Sequence, residues 1–245
     1  MSSSNLKATV RALDVSMAQI DFAEVLLFTD REPSTLGLGP TSPIRVIPIA
    51  KIQSSEAYSR FMLERLADHI KTSHCLVVQW DGHVIDAQRW QNEFLEYDYI
   101  GASWPQFDDG HDVGNGGFSL RSRRLMETCQ SAEFDVHHPE DVAICRTNRH
   151  LLEDRGLSFA PLALADQFSS ERASDPGVTF GYHGAFIMPR VLGMDRFWTI
   201  YRQLTDRTTV WNDFGLIWRT AINERRGIRR SLAMVVHRAR DAMRR

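Results

Sequence analysis

Four short stretches hold side chains whose type and position could do chemistry. The first, Leu76-Val-Val-Gln79-Trp80-Asp81-Gly82, ends an apolar run in a single carboxylate. Just past the carboxyl end of a buried strand is the edge where open α/β sheets collect ligands. A diphosphate held there needs a divalent cation, and a hard cation takes carboxylate oxygen, which Asp81 can supply. The same residues also read as an Asp-Gly turn leaving a strand. The second, Asn115-Gly116-Gly117, puts adjacent glycines at a strand start, where a ligand can approach the backbone and where a plain turn or bulge would serve as well. The third is Pro139-Glu140-Asp141-Val142. Its carboxylates fall in the first turn of a helix, where negative charge complements the helix dipole. As chemistry, one of them is a general base for an acceptor hydroxyl. Helical neighbours point about 100° apart, so one faces a cleft; Asp141 is the choice and Glu140 the alternative. The fourth is Gly181-Tyr182-His183-Gly184, whose imidazole is either a transition-metal ligand or a loop histidine completing local hydrogen bonds.

The elements that would position these residues are strands alternating with helices. Residues 5–19 read as a helix, Glu24–Thr29 and Ile44–Ile49 as short strands, with Pro48 marking an edge or a strand end. Ser54 or Ser55 can cap a helix reaching about His69. His74–Trp80 reads as a strand covered on both faces, 90–97 as a short amphipathic helix, and 99–102 as a strand. The stretch 105–114 is polar and turn-rich; its Asp108, Asp109, His111 and Asp112 lack a recognised ligand spacing and read as a solvated lid or linker. A strand over 115–120 should feed a helix over 122–130, and Pro139 should open a helix running to about Asp154 and stopped by Gly156. This order predicts α/β architecture with a largely parallel sheet.

The 245 residues, 43% apolar, suffice for one large domain. No stretch approaches the roughly 20 apolar residues of a membrane span, and Met1-Ser-Ser-Ser lacks a signal-peptide core, so a cytoplasmic protein is expected. Cys75, Cys129 and Cys145 are far apart, arguing against a disulfide framework or a cysteine zinc site. Residues 225–245 hold eight Arg and one Asp, a net +7, leaving −9 on the rest. The acidic body argues against general nucleic-acid binding. In the tail, Ile228, Leu232, Val235, Val236, Ala239 and Met243 recur at helical spacing among the arginines. Such a basic amphipathic helix either lies on a membrane or packs against the domain. The expected organisation is a domain over 1–224 and this helix over 225–245.

Six motifs in order, Tyr58–Phe61, Gln79–Gly82, Asp98–Ala102, Gly114–Ser122, Pro139–Val142 and His183-Gly184, resemble a family of glycosyltransferase-like proteins known mainly as a domain of unknown function. The resemblance covers most of residues 5–186. That family is distantly similar to the fringe and beta-1,3-glycosyltransferase group, which has the GT-A fold. The resemblance implies a Rossmann-like sheet flanked by helices. It implies that Gln79-Trp80-Asp81 stands where the group carries its Asp-x-Asp metal motif, with Gln79 replacing the first carboxylate and Asp81 kept as a ligand. It further implies that Gly116 and Gly117 line the donor sugar, beside Asn115 and Tyr58, that Asp141 or Glu140 is the base, and that His183 completes a Mn²⁺ or Mg²⁺ site. Trp104 would offer a flat surface to a sugar ring at the cleft edge, or else join the core. The group's fold opens with a strand before its first helix. This chain begins almost inside the helix, so either its start is assigned late or its nucleotide pocket is incomplete.

The expected activity is inverting transfer of a sugar from a nucleotide-sugar donor to a glycan or glycolipid hydroxyl, in polysaccharide or glycoconjugate synthesis. A degenerate transferase-like binding or scaffold protein is the first alternative, and a metal-dependent phosphohydrolase using Asp81 and His183 the second.

Overall fold

Serine caps set two of the helices that frame the fold, a computed structural model describing residues 2–39, 41–224 and 227–243. The chain opens with α1 (Leu6–Met17), preceded by Asn5 in left-handed backbone at φ 52°. The Asn5 Oδ1 accepts from the backbone N–H groups of Thr205 and Asp206 at 2.9 and 3.0 Å, fastening the start of the chain to its C-terminal third. Strand β1 (Val25–Thr29) pairs in parallel with β2 (Ile44–Pro48). Helix α2 (Ser55–Glu64) starts where the Ser54 hydroxyl accepts from Ala57 N–H at 3.2 Å, and a 3-10 turn, Leu66–His69, extends it. Then come β3 (His74–Val78), β4 (Gly82–Val84), β5 (Tyr99–Ile100), β6 (Ala102–Ser103), β7 (Val113–Gly114) and β8 (Phe118–Ser122). Ser122 caps α3 (Arg123–Cys129) by accepting from Leu125 N–H at 3.0 Å.

A single turn, α4 (Glu140–Val142), runs into a π-helical turn at Ala143–Thr147 and then α5 (Arg149–Asp154), which stops before Gly156 at φ 74°. The remainder is α6 (Leu162–Phe168), β9 (Ser169–Ser170), β10 (Gly181–His183), α7 (Met188–Leu192), α8 (Met194–Gln203), α9 (Thr208–Asn212), α10 (Phe214–Ile222) and α11 (Gly227–Ala242).

The architecture is α/β, as the alternation of elements predicts, but the pairing is mixed. β1–β2 and β9–β10 are parallel, whereas β8 lies antiparallel between β3 and β5, β4 antiparallel to β10, and β6 to β7. From β3 to β8 the chain passes through short strands and 3-10 turns, with no α-helix to carry it back across the sheet as parallel pairs usually need. The expected helix over 90–97 is only a 3-10 segment, Asn92–Glu96, because Trp90 and Phe94 turn inward onto Phe180. The expected continuous helix over 139–154 is broken by the π turn, where Asn148 N–H and its side-chain Nδ2 both donate to Ala143 O at 3.0 Å.

Phe94, Phe118, Phe168 and Phe180, all fully buried, form an edge-to-face and tilted stack that joins β8 to β10. A Cβ at Gly181 would lie 2.2 Å from the Phe118 ring, so only glycine lets these strands come so close. Among the described residues no strand precedes α1. Ser2 N–H donates to Phe28 O at 2.9 Å, at the end of β1. Beside it β1 and β3 do not pair; between them lies a mainly apolar cavity of about 200 Å³, lined by Leu13, Leu26, Phe28, Met62, Leu66 and Val77 among others.

Candidate functional site

The sharp exit from β3 buries Asp81. Gly82 N–H donates to Gln79 O at 3.2 Å and Gly184 N–H to Asp81 O at 3.0 Å, which turns the carboxylate inward, 1% exposed. Because β10 is antiparallel to β4, with His183 opposite Gly82, the imidazole comes down beside it. His183 Nε2 stands 3.4 Å from Asp81 Oδ1 and 3.3 Å from Gln79 Oε1, and the opposite nitrogen, Nδ1, stands 3.4 Å from Glu171 Oε1. Burial favours a neutral ring, but the charges of Asp81 and Glu171 outweigh it and push the His183 pKa up to about 10. Neither Asp81 oxygen has a hydrogen-bond partner among the described residues. Asp81, whose oxygens have among the described residues no hydrogen bond and only the His183 imidazolium beside them, is the carboxylate that could take a divalent cation, and His183 would join it as a ligand only after giving up its Nε2 proton. No cluster of three or more His, Cys, Asp or Glu side chains able to hold a metal occurs among the described residues, so phosphate oxygens would have to complete the coordination. Glu171 meets the far nitrogen of the ring and does not join the set.

Asn115-Gly116-Gly117 forms the floor of the site. Asn115 sits at φ 66°, a left-handed conformation that Asn tolerates, and its Oδ1 accepts from Gly117 N–H at 2.9 Å. Gly117 O accepts from Gln79 N–H at 2.9 Å, and Gln79 Nε2 donates to the Tyr58 hydroxyl at 2.9 Å. A Cβ on Gly117 would lie 2.0 Å from His183 Nε2, and one on Gly116 2.0 Å from Glu140 Oε1. The two glycines are thus needed for the close approach of these side chains. Burial, and then the charge of Glu140, holds the Tyr58 hydroxyl well above the usual phenol range.

The acidic pair diverges as helical geometry predicts. Glu140 is buried against Arg121, Oε1 to Nη2 3.1 Å, and Arg121 itself is wholly inside, with Nε on the Ser119 hydroxyl at 3.0 Å. Among the described residues Asp141 forms no ion pair: Oδ2 accepts from Gly116 N–H at 3.1 Å and Oδ1 from Val142 N–H at 2.9 Å. Burial, reinforced by the charge of Glu140, pushes the Asp141 pKa up to about 6. Gly116 and Gly117 therefore carry Asp141 on one side and His183 with Asp81 on the other, and Tyr58, Gln79 and Asn115 belong to the same network.

Trp104 does not. It is 6% exposed, packs edge-on against Phe107 at 5.5 Å, and its ring fills the space above Gly114, so it belongs to the core and offers no face to a sugar. The 105–114 loop is pinned by Arg146, which pairs with Asp109 at 2.6 Å and lies over Phe107. Two residues of the network escape a reading of the sequence. Arg121 had a signal, a charge at an inward position of a buried strand; Glu171, in a loop of ordinary composition, had none.

No curated protein matches this sequence. Among solved structures, the galactosyltransferase LgtC in complex with donor and acceptor sugar analogs is similar with a TM-score of 0.48 at 14% identity, covering 85% of this chain and 95% of that one. An active-site mutant of LgtC is similar with a TM-score of 0.44, again at 14% identity, covering 85% of this chain and 94% of that one. A family model matches residues 41–183, the stretch that holds every side chain of the network just described, and the chain belongs to that family, described as protein of unknown function (DUF5672).

Proposed function

We propose that this protein is a GT-A-like inverting glycosyltransferase that moves a sugar from a nucleoside-diphosphate donor to a hydroxyl of a glycan or glycolipid. One observation supports the reading: Asp141, which forms no ion pair among the described residues and has a pKa near neutrality, lies at the same two glycines as His183 and its buried neighbour Asp81. In this reaction the acceptor hydroxyl gives its proton to Asp141 while its oxygen forms the new bond to the anomeric carbon. The bond from that carbon to the phosphate oxygen breaks, and the nucleoside diphosphate leaves from the opposite face with the electron pair.

A pKa of about 6 suits the base role, since Asp141 is ionised at neutral pH yet basic enough to take a proton in the transition state. The Gly116 N–H holds the carboxylate in place, and Arg121 neutralises Glu140 so that Asp141 is the free member of the pair. Asp81 and His183 would hold a Mn²⁺ or Mg²⁺ ion, which when bound supplies positive charge to the leaving diphosphate. Gln79, anchored by Tyr58, orients His183 toward Asp81.

The test is transfer from a panel of uridine and guanosine diphosphate sugars with manganese present, with the anomeric configuration of the product read by NMR. The expected result is inversion, with Asp141→Asn lowering turnover by roughly 100- to 10,000-fold while donor binding by calorimetry stays within a few-fold. Retention of configuration, or unchanged turnover in Asp141→Asn, removes Asp141 as the base. A chain that binds no donor is the degenerate binding protein instead.

A further inference from the structure

Helix α11 docks on the body by one face only. Gly227, Arg230, Ser231 and Met234 are buried, Met234 in a cluster with Phe197, Tyr201, Ile217 and Ala221. The docked face is not the apolar stripe. Ile228, Leu232, Val235, Val236 and Met243 are 72, 62, 47, 47 and 80% exposed, and their spacing of three, four and seven residues aligns them along the outer side of the helix. With about 100° between successive residues, Arg229 and Arg240 border this stripe on one side, whereas Arg238 falls near the docked face and lies over the Phe214 ring at 4.5 Å. Arg225, Arg226, Arg244 and Arg245 lie outside the described residues.

Beside the Arg229 flank is a cleft between α8 and α11, lined by Trp198, Arg202, Arg229, Arg230, Ala233 and His237. Arg230 is engaged by Asp195, and His237 Nδ1 by the Tyr201 hydroxyl at 2.9 Å. Among the described residues Arg202 and Arg229 form no ion pair. The helix thus combines an outward apolar stripe, an arginine flank formed by Arg229 and Arg240, and a basic cleft beside that flank.

We propose that α11 and the α8 cleft form a docking surface for an anionic phospholipid bilayer, with the stripe seated among the acyl chains and Arg202 and Arg229 on lipid phosphates. Charge selects this occupant over a second copy of the chain. A two-fold contact sets the same patch against itself, which would bring these arginines together. An anionic leaflet instead supplies the complementary charge at the depth of the flanking arginines and an apolar layer below it. No helix among the described residues is long and apolar enough to cross a membrane, so the contact is peripheral. It does not depend on the transfer reaction.

The test is co-sedimentation of the full chain with vesicles of phosphatidylcholine, with and without phosphatidylglycerol. The chain should pellet with the mixed vesicles and at least about tenfold less with phosphatidylcholine alone. Ile228→Asp with Leu232→Asp, both at exposed positions, should lower the pelleted fraction by at least about tenfold with the melting temperature unchanged. Arg202→Gln with Arg229→Gln should cost about fivefold per arginine and lose the preference for anionic lipid. No pelleting by the native chain, equal pelleting by the Asp variant, or a dimer in light scattering that the Asp variant dissolves would each overturn the proposal.

Discussion

Asp141 and Glu140 are neighbours in sequence with opposite physics. Glu140 is paired with the buried Arg121, so Glu140→Gln should leave that guanidinium uncompensated and destabilise the fold by about 3–5 kcal/mol, read by denaturant unfolding. Asp141 behaves the other way. Its pKa in the folded chain is raised from 3.8 to about 6, so the native state binds more protons than the unfolded one over that interval, and stability falls as pH rises through it. Asp141→Asn should therefore stabilise the protein by roughly 1–2 kcal/mol at pH 8, allowing for its partial exposure, and add nothing below pH 4. The same titration sets the expected activity profile: turnover rises about tenfold per pH unit up to about pH 6 and then levels. A gain in stability paired with a loss of transfer in one variant would separate a functional carboxylate from a structural one.

At the scale of elements, the site is made by the approach of β8 to β10 and α4. Asn115-Gly-Gly117 stands just ahead of β8, and its glycines admit the His183 ring from one side and the Glu140 carboxylate from the other. Gly117→Ala should displace the His183 ring, because a methyl 2.0 Å from Nε2 has no room. Manganese binding by calorimetry should weaken at least about tenfold, while Gly110→Ala, in an open loop position, should leave it unchanged. Equal manganese affinity in both variants would mean that His183 is not a ligand. The π turn after α4 has its own role here: it resets the helix after Asp141, so the residues that follow pack into the core around Ile144 and Cys145 while the acidic pair stays at the glycine floor.

The molecule as a whole is unevenly built. β8, flanked on both sides and backed by the phenylalanine stack, sits in the best-packed region, whereas β1 and β2 form an isolated two-stranded ladder separated from β3 by the apolar cavity. A ladder of two strands beside a cavity has fewer contacts to lose on opening. Hydrogen exchange should therefore release the amides of 25–29 and 44–48 well before those of 74–78 and 118–122. Equal protection would show that the cavity is closed in solution. Net charge is uneven as well: the C-terminal 21 residues carry +7 against −9 elsewhere, so the excess positive charge lies at that end of the sequence.

Much of this was legible in the residues alone. The serine cap of α2, the short apolar strands, the stop at Gly156 and the α/β class depend on neighbours a few positions away, so local sequence determines them. The glycines, carboxylates and histidine of the site could also be picked out one by one, since their chemistry is intrinsic. What the tertiary structure decided is everything that depends on distant partners. Only it shows that Arg121 claims Glu140 and frees Asp141, that Trp104 is core, that Glu171 reaches His183, and that β3 and β8 run antiparallel. It also decides which face of α11 meets the body, because periodicity marks an apolar stripe and leaves open whether protein or solvent lies against it. Burial and ion pairing are properties of the surroundings a side chain meets after the chain has folded, and no single stretch of sequence contains them.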